Sequence, residues 1–331
     1  MRNKKLLGLV AVLCLATIIF FGATRSAMRS GDVINFYANI TAIEPLLEDF
    51  EARTGIRALY TRISTAAFLA TVLTEFDAGR LLADVIQAPL PVMEQLRARG
   101  VLAPHISPSA AGFPEWANRG ADGIYMFAIE YVGIIFNHRI IDPATAPTSY
   151  QDLADPRWRD MIVMPNPSIH ATTISWLVAM KEHVFYGDEQ AWLAWLQGIA
   201  ANNPMFVASF GPTPAPISTG ERAIGISMPK YIITHAPAPL AWAPIEPVLG
   251  SPRAIGISAT ARNPEGARKF VDYWLSAEAG RILADDVGEY VLTPGVFPPI
   301  PGMDTARVLP VWDLTDEEIT HWAGVFREIF S

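Results

Sequence analysis

The feature that most constrains this chain is an alternation: short β-rich runs are followed, again and again, by stretches with apolar residues at helical spacing. Val33 to Tyr37 forms a compact apolar strand, and Ile43, Leu46, Leu47 and Phe50 then recur at three- and four-residue intervals until Gly55 stops the pattern. Leu69, Val72, Leu73 and Phe76 repeat the spacing before Gly79, and Ala83 to Gln87 is a buried strand ahead of a helix from about Pro91 to Arg99 with Gly100 at its end. Such alternation is the signature of an α/β fold, in which the apolar helix stripes pack against a sheet.

The second half continues it. Ile124 to Ile129 and Val132 to Phe136 are two strand-like stretches, and the Pro-rich passage Asp142 to Pro147 suits a crossing between lobes. Strand Met161 to Met164 precedes helices at about Ala171 to His183 and Glu189 to Gln197. Strand Ala223 to Ser227 leads into the proline-containing stretch Pro229 to Pro247, which suits a return crossing. Strand Ala254 to Ser258, helices from Pro264 to Leu275 and from Ala277 to about Val287, and a terminal helix within Asp313 to Phe330 complete the pattern.

A chain of 331 residues has room for about two domains and a large core. With 51% hydrophobic and 18% charged residues, disorder is excluded. A net charge of -8 and the lack of a Lys/Arg run beyond the N-terminus argue against nucleic-acid binding. Arg2, Lys4 and Lys5 followed by an uncharged apolar run from Leu6 to Ala23 mark residues 1–27 as a signal peptide or membrane anchor. The lone cysteine, Cys14, lies inside that run, so the exported part has no disulfide. Leu13 before it, and the continuing apolar run after it, speak against lipid attachment.

Several phrases recur in a fixed order: V-I-N-F-Y (33–37), L-E-D-F-E-A-R-T-G-I-R (47–57), A-D-V (83–85), G-V-L-A-P (100–104), S-Y-Q-D-L-A-D-P-R-W-R-D (149–160), G-E-R-A-I-G-I-S (220–227) and N-P-E-G-A-R-K-F-V-D-Y-W-L-S (263–276). Together they resemble the periplasmic solute-binding proteins of ABC importers, in the subgroup of ferric-ion, polyamine, phosphonate and sugar-phosphate binders. The resemblance covers roughly residues 33 to 300 and implies a type II periplasmic binding fold, two α/β lobes joined by two hinge strands with the ligand between them. By analogy lobe one is 31–131 plus 238–331 and lobe two is 132–237. It further implies a monomer without cofactor that hands a small-molecule ligand to a membrane permease, in the periplasm, touching the membrane only through its N-terminal segment or that permease.

Ligands of open α/β sheets bind beyond the carboxyl ends of strands, where loops open helices. Asn39, Ile40 and Thr41 follow the first strand; Ser64 and Thr65 precede the second helix; Gln87 and Ala88 end the third strand; Ser168, His170 and Thr172 open a helix in the second lobe; Gly211 and Thr213 form a further turn. Asn39 and Thr41 are equally natural helix caps, and a lone histidine such as His170 is as natural a cap as a ligand contact. Small hydroxyls at helix starts suit a phosphate, phosphonate, carboxylate or polyol.

Ferric-binding relatives carry two adjacent tyrosines after the G-E-x-A-I-G-I strand. Here the matching stretch is Met228, Pro229, Lys230, Tyr231, Ile232: one tyrosine remains, with an ammonium beside it that favours an anion. The expected ligand is thus a small anionic or polyhydroxylated solute bound partly by Lys230 and Tyr231. A ferric ion held through Tyr231 is the alternative. No G-x-S-x-G elbow, P-loop or H-E-x-x-H is present, so an enzyme is not expected.

Overall fold

The computed structural model describes residues 33–312 and 314–331. The proposed signal or anchor at 1–27, with Cys14, lies outside the described residues. In chain order the first half comprises β1 (Val33–Ala38), α1 (Glu44–Thr54), β2 (Arg57–Arg62), α2 (Thr65–Asp77), β3 (Val85–Pro89), α3 (Leu90–Ala98), β4 (Leu102–Ala103), β5 (Asn118–Arg119) and β6 (Ile124–Asn137). The middle holds β7 (Ile162–Pro165), α4 (Ala171–His183), α5 (Glu189–Ala201), β8 (Met205–Val207), α6 (Pro214–Thr219), β9 (Ile224–Ser227), α7 (Tyr231–Thr234) and β10 (Leu240–Ala243). The chain ends with β11 (Val248–Ser258), α8 (Pro264–Trp274), α9 (Ala277–Asp285), β12 (Tyr290–Val291), β13 (Val308–Pro310) and α10 (Asp316–Ile329).

The strands run β2-β1-β3-β11-β6-β9-β7-β8 across the molecule. β1 is parallel to β2 and β3, while β11 is antiparallel to both β3 and β6. In the second half β7 is parallel to β8 and β9, and β9 is antiparallel to β6. Period-two alternation decides which layer each strand residue meets. Ile34, Phe36 and Ala38 of β1 face a core with Phe50, Phe270 and Trp274 from α1 and α8, whereas Tyr37 faces Phe68, Val72 and Met93 from α2 and α3. The second half repeats the layering: Val132, Ile134 and Phe136 of β6 meet α4 and α5, and Ile135 meets Ile217 of α6. The result is two three-layer α/β halves sharing β6.

The two stretches expected at 124–129 and 132–136 are one fourteen-residue strand. Its start pairs with β11 and its end with β9, so the crossing lies at Glu130 to Gly133 inside β6, not at Asp142 to Pro147, where a 3-10 turn follows the strand. A backbone kept in one continuous ladder needs no loop to pass between halves.

The assignment of 238–331 to lobe one also changes. β10 pairs with the far end of β6, so the return crossing falls between Ala243 and Val248. β13 pairs with β11 in the first half, but α10 then packs on the second: Trp322 meets Trp192 edge to face with ring centroids 5.4 Å apart, and the fully buried Phe326 joins the same cluster. The chain therefore passes between the halves a third time, just before Thr315. Apolar periodicity marked α10 as amphipathic but not the partner for its apolar face.

Candidate functional site

The two long crossing strands form the floor of a cleft. In the antiparallel register of β6 and β11, Glu130 lies directly opposite Ser251. Arg253 is two residues further along β11, on the same face as Ser251 and diagonal to Glu130. Its guanidinium reaches back along that diagonal, placing Nη2 2.5 Å from Glu130 Oε1, and Nη1 donates to Asn39 Oδ1 at 3.4 Å. Its Nε lies 3.2 Å from Glu289 Oε2, an ionic contact rather than an aligned hydrogen bond. Lys230 Nζ, at the start of α7, donates to Glu289 Oε1 at 3.0 Å. Two cations and two carboxylates thus alternate beneath the cleft as Lys230, Glu289, Arg253 and Glu130.

This chain is mostly dry. Glu289 is 0% exposed and the Arg253 side chain 5%, while Glu130 at 19% is open toward the cleft. Burial alone would push the Glu289 carboxyl up, but Arg253 and Lys230 outweigh it and hold the group below the usual carboxylate range. The Tyr231 phenol moves up instead, first through burial and then through the Glu130 carboxylate. Among the described residues no group of three or more His, Cys, Asp or Glu side chains is gathered for a metal.

The cleft encloses about 730 Å³. Thr65 and Leu69 of α2, and Pro91, Val92, Glu94 and Gln95 of α3, form its wall on the first half. Ala171, Thr172 and Ser175 of α4 form the wall on the second, with Leu314, Thr315, Asp316 and Ile319 from the start of α10. The lining holds the carboxylates of Glu94, Glu130 and Asp316 and no Lys, Arg or His among the described residues. Glu94 is matched by Arg97 and Arg119. Ser175 is 4% exposed, and its buried Oγ has no hydrogen-bond partner among the described residues.

Of the residues singled out from sequence, Thr65 and Thr172 line the cleft. Asn39 stands at its edge, donating through Nδ2 to Thr65 Oγ1 at 3.0 Å. Ile40 and Gln87 lie beneath the surface, the Ile40 N–H bonded to Gln87 Oε1 at 3.1 Å, and Ala88 is buried. Thr41 and Ser64 are exposed at the loop ends. Ser168 is half-buried, its N–H held by Asn166 Oδ1 at 2.8 Å. His170 caps α4: its Nδ1 accepts from the Thr173 N–H at 3.3 Å, with the Thr173 hydroxyl 2.8 Å away. Burial lowers its pKa against the pull of Glu130, so the ring is the neutral acceptor the cap needs. Thr213 is fully buried, bonded to Phe210 O and Ser227 Oγ, and Gly211 is exposed. Tyr231 and Lys230 sit below the lining, the latter committed to Glu289.

The residues that sequence reasoning passed over are Glu130, Ser251, Arg253, Glu289 and Ser175. A signal existed for one of them: Glu130 is the single charge inside the otherwise apolar or neutral run Ile124–Asn137. A charge in a buried strand is present only with a partner or a task.

The family profile described as bacterial extracellular solute-binding protein matches residues 82–314, more than half of the chain. The chain belongs to that family. This solute-binding protein is 22% identical over 290 residues to a spermidine/putrescine-binding periplasmic protein of Salmonella typhimurium, covering 82% of this chain and 81% of the relative. It is 25% identical over 206 residues to a putative 2-aminoethylphosphonate-binding periplasmic protein of the same organism, covering 60% and 58%. In fold it matches the crystal structure of the substrate-binding protein of an ABC transporter from Agrobacterium tumefaciens, with a TM-score of 0.76 at 14% identity over 92% of this chain and 96% of the other. The two-lobed architecture expected from sequence is thus the observed one, and the solute-binding role in ABC import follows from the family. Among the described residues no helix is long and apolar enough to cross a membrane.

Proposed function

We propose that this solute-binding protein captures its cargo in the cleft over Glu130 and Ser251. The cargo is a small anionic or polyhydroxylated solute, and the closed form passes it to a membrane permease. The observation that carries this reading is that Thr65 and Thr172, each in the first turn of a thirteen-residue helix, line one cleft from opposite halves. Helix starts offer amides and partial positive charge, which suit an anionic group, and the flanking hydroxyls suit a polyol equally. A ligand touching both halves has differential affinity for the closed form, which is what couples capture to delivery. The protein acts in the periplasm as a monomer, and its N-terminal segment directs export. N-terminal sequencing of the mature protein distinguishes cleavage from retention as an anchor.

The test is a thermal-shift screen against sugar phosphates, phosphonates, polyols, polyamines and ferric citrate. A ligand present at 100 times its Kd stabilises the native state by about 2.7 kcal/mol. At least one polar solute is expected to raise Tm, and Thr65→Trp and Thr172→Trp, which fill the cleft, are expected to abolish the shift. Undiminished shifts in both variants would place the site elsewhere.

A further inference from the structure

We infer that the segment running from β13 into α10 is a taut strap that limits how far the two halves open. This needs only the two-lobed fold and holds whatever solute the cleft takes. Two of the three crossings, Glu130 to Gly133 within β6 and the stretch between Ala243 and Val248, run along the cleft floor, where they flex together as a hinge. The third leaves the floor. Leu314, Thr315, Asp316 and Ile319 stand in the cleft wall, so the strap joins the halves beside the space that widens on opening. A link placed away from a two-strand hinge must stretch, or release an anchor, when that hinge opens.

Both ends of the strap are fixed. β13 pairs with β11 from Val308 to Pro310, and the Val311 N–H donates to Gly250 O at 2.9 Å. Trp312 then packs edge to face on Trp116, in a 3-10 turn of the first half, with ring centroids 6.4 Å apart. Leu314 already packs on the second-half apolar cluster that receives Trp322 and Phe326. A capping box then starts α10 at once: the Thr315 N–H donates to Glu318 Oε2 at 2.9 Å, and the Glu318 N–H donates to Thr315 Oγ1 at 3.3 Å. Trp322 on Trp192 and Phe330 on Phe206, centroids 5.4 and 5.9 Å apart, hold the rest of the helix against α5 and β8. Trp312 and Leu314 thus touch opposite halves from two residues apart, a reach of about 7 Å at full extension. So short a span leaves little slack. Keeping wide-open forms out of the ensemble raises the share of molecules near the closed state, and apparent affinity scales with that share.

The experiment reads the distance between the halves in the ligand-free protein. Spin labels on Ala98→Cys of α3 and Gln190→Cys of α5, both exposed positions, are placed in the full chain carrying Cys14→Ser, and double electron–electron resonance gives the distance distribution. This parent is compared with a Gly-Gly-Ser-Gly-Gly-Ser insertion between Trp312 and Asp313, and with Trp116→Ala. The insertion keeps both anchors, raises the reach from about 7 Å to about 29 Å, and costs little stability because loop entropy grows slowly with length. Trp116→Ala removes only a ring contact between side chains that are 36% and 60% exposed, so the fold survives it. Circular dichroism and Tm confirm that each variant is folded. The insertion is expected to shift or broaden the distribution to longer distances, and Trp116→Ala to shift it less in the same direction. If α10 merely covered the core of the second half, the insertion would leave the distribution where it was. A distribution in the insertion variant that superposes on the parent's, or moves to shorter distances, would overturn the inference; were that variant not to fold, the Trp116→Ala distribution decides in the same way.

Discussion

Replacing Glu289 with glutamine removes the charge on which two buried cations converge while preserving size and shape. Glu289 is 0% exposed, Arg253 5% and Lys230 12%, so water cannot take over the lost interactions. Removing one partner from a buried ion pair costs about 3–5 kcal/mol, because the remaining charge is left uncompensated. Arg253 keeps Glu130 as a second carboxylate partner, which places the expected loss near the lower end, about 3 kcal/mol. For a folded chain of about 300 residues, with an unfolding entropy of about 2.1 cal/mol/K per residue, that corresponds to a fall in Tm of about 5 °C. Urea unfolding at pH 7 is the assay, and the midpoint should drop with little change in slope. The pH dependence has a definite sign. The folded carboxyl is held below its unfolded value by Arg253 and Lys230 despite burial, so its contribution is complete above about pH 4.3 and is lost as pH falls through the folded value. The gap between wild type and Glu289→Gln should therefore be full at pH 7 and narrow in acid. A loss below about 1 kcal/mol, or a gap that does not narrow on acidification, would refute the picture of an ionised, cation-paired Glu289.

Further outcomes follow from other contacts. His170→Ala removes the cap of α4 and should cost about 1 kcal/mol in urea unfolding. Because burial lowers the His170 pKa, that increment is present above about pH 6.5 and is lost as pH falls through the folded value. Phe326→Ala opens a cavity between α10 and the second half and should cost about 3–5 kcal/mol; limited proteolysis should then cut first near residue 314. Cleavage elsewhere would mean that α10 is held by other contacts. Gly288→Ala forces a side chain onto a backbone at φ +73° and brings its Cβ to 2.8 Å from Lys230 Cβ, so it should destabilise by about 1 kcal/mol or more. No change by calorimetry would count against the close packing of Lys230 on that loop.

Most of the scaffold was legible in the order of residues, because strand and helix periodicity are local properties. β1, α1, α4 and α8 stand within a residue or two of where apolar spacing and Gly55 placed them. β2 escaped notice because four of its six residues are exposed and it carries Arg at both ends, so no apolar run announces it. The family resemblance was carried by those same scaffold phrases. The cleft was less legible. Thr65 and Thr172 could be found because helix starts are marked by small hydroxyls, but Thr213, of equally suitable chemistry, spends its hydroxyl on buried internal bonds, and Gln87 is fully buried with its Oε1 committed to the Ile40 N–H. Lys230 shows the limit most clearly: an ammonium beside a tyrosine looks anion-seeking until Glu289, 59 positions away, is found to hold it.

What the sequence determined by itself, then, is the alternation of strands and helices, the helix stops and the family to which the alternation belongs. Each depends on contacts within a turn or between neighbouring residues. Only the tertiary structure decided where β6 crosses, which half receives α10, and that Glu130, Ser251 and Arg253 meet on one floor. Those outcomes depend on strand register across more than a hundred residues of intervening chain, and a shift of one residue would turn every side chain of β11 to the opposite face.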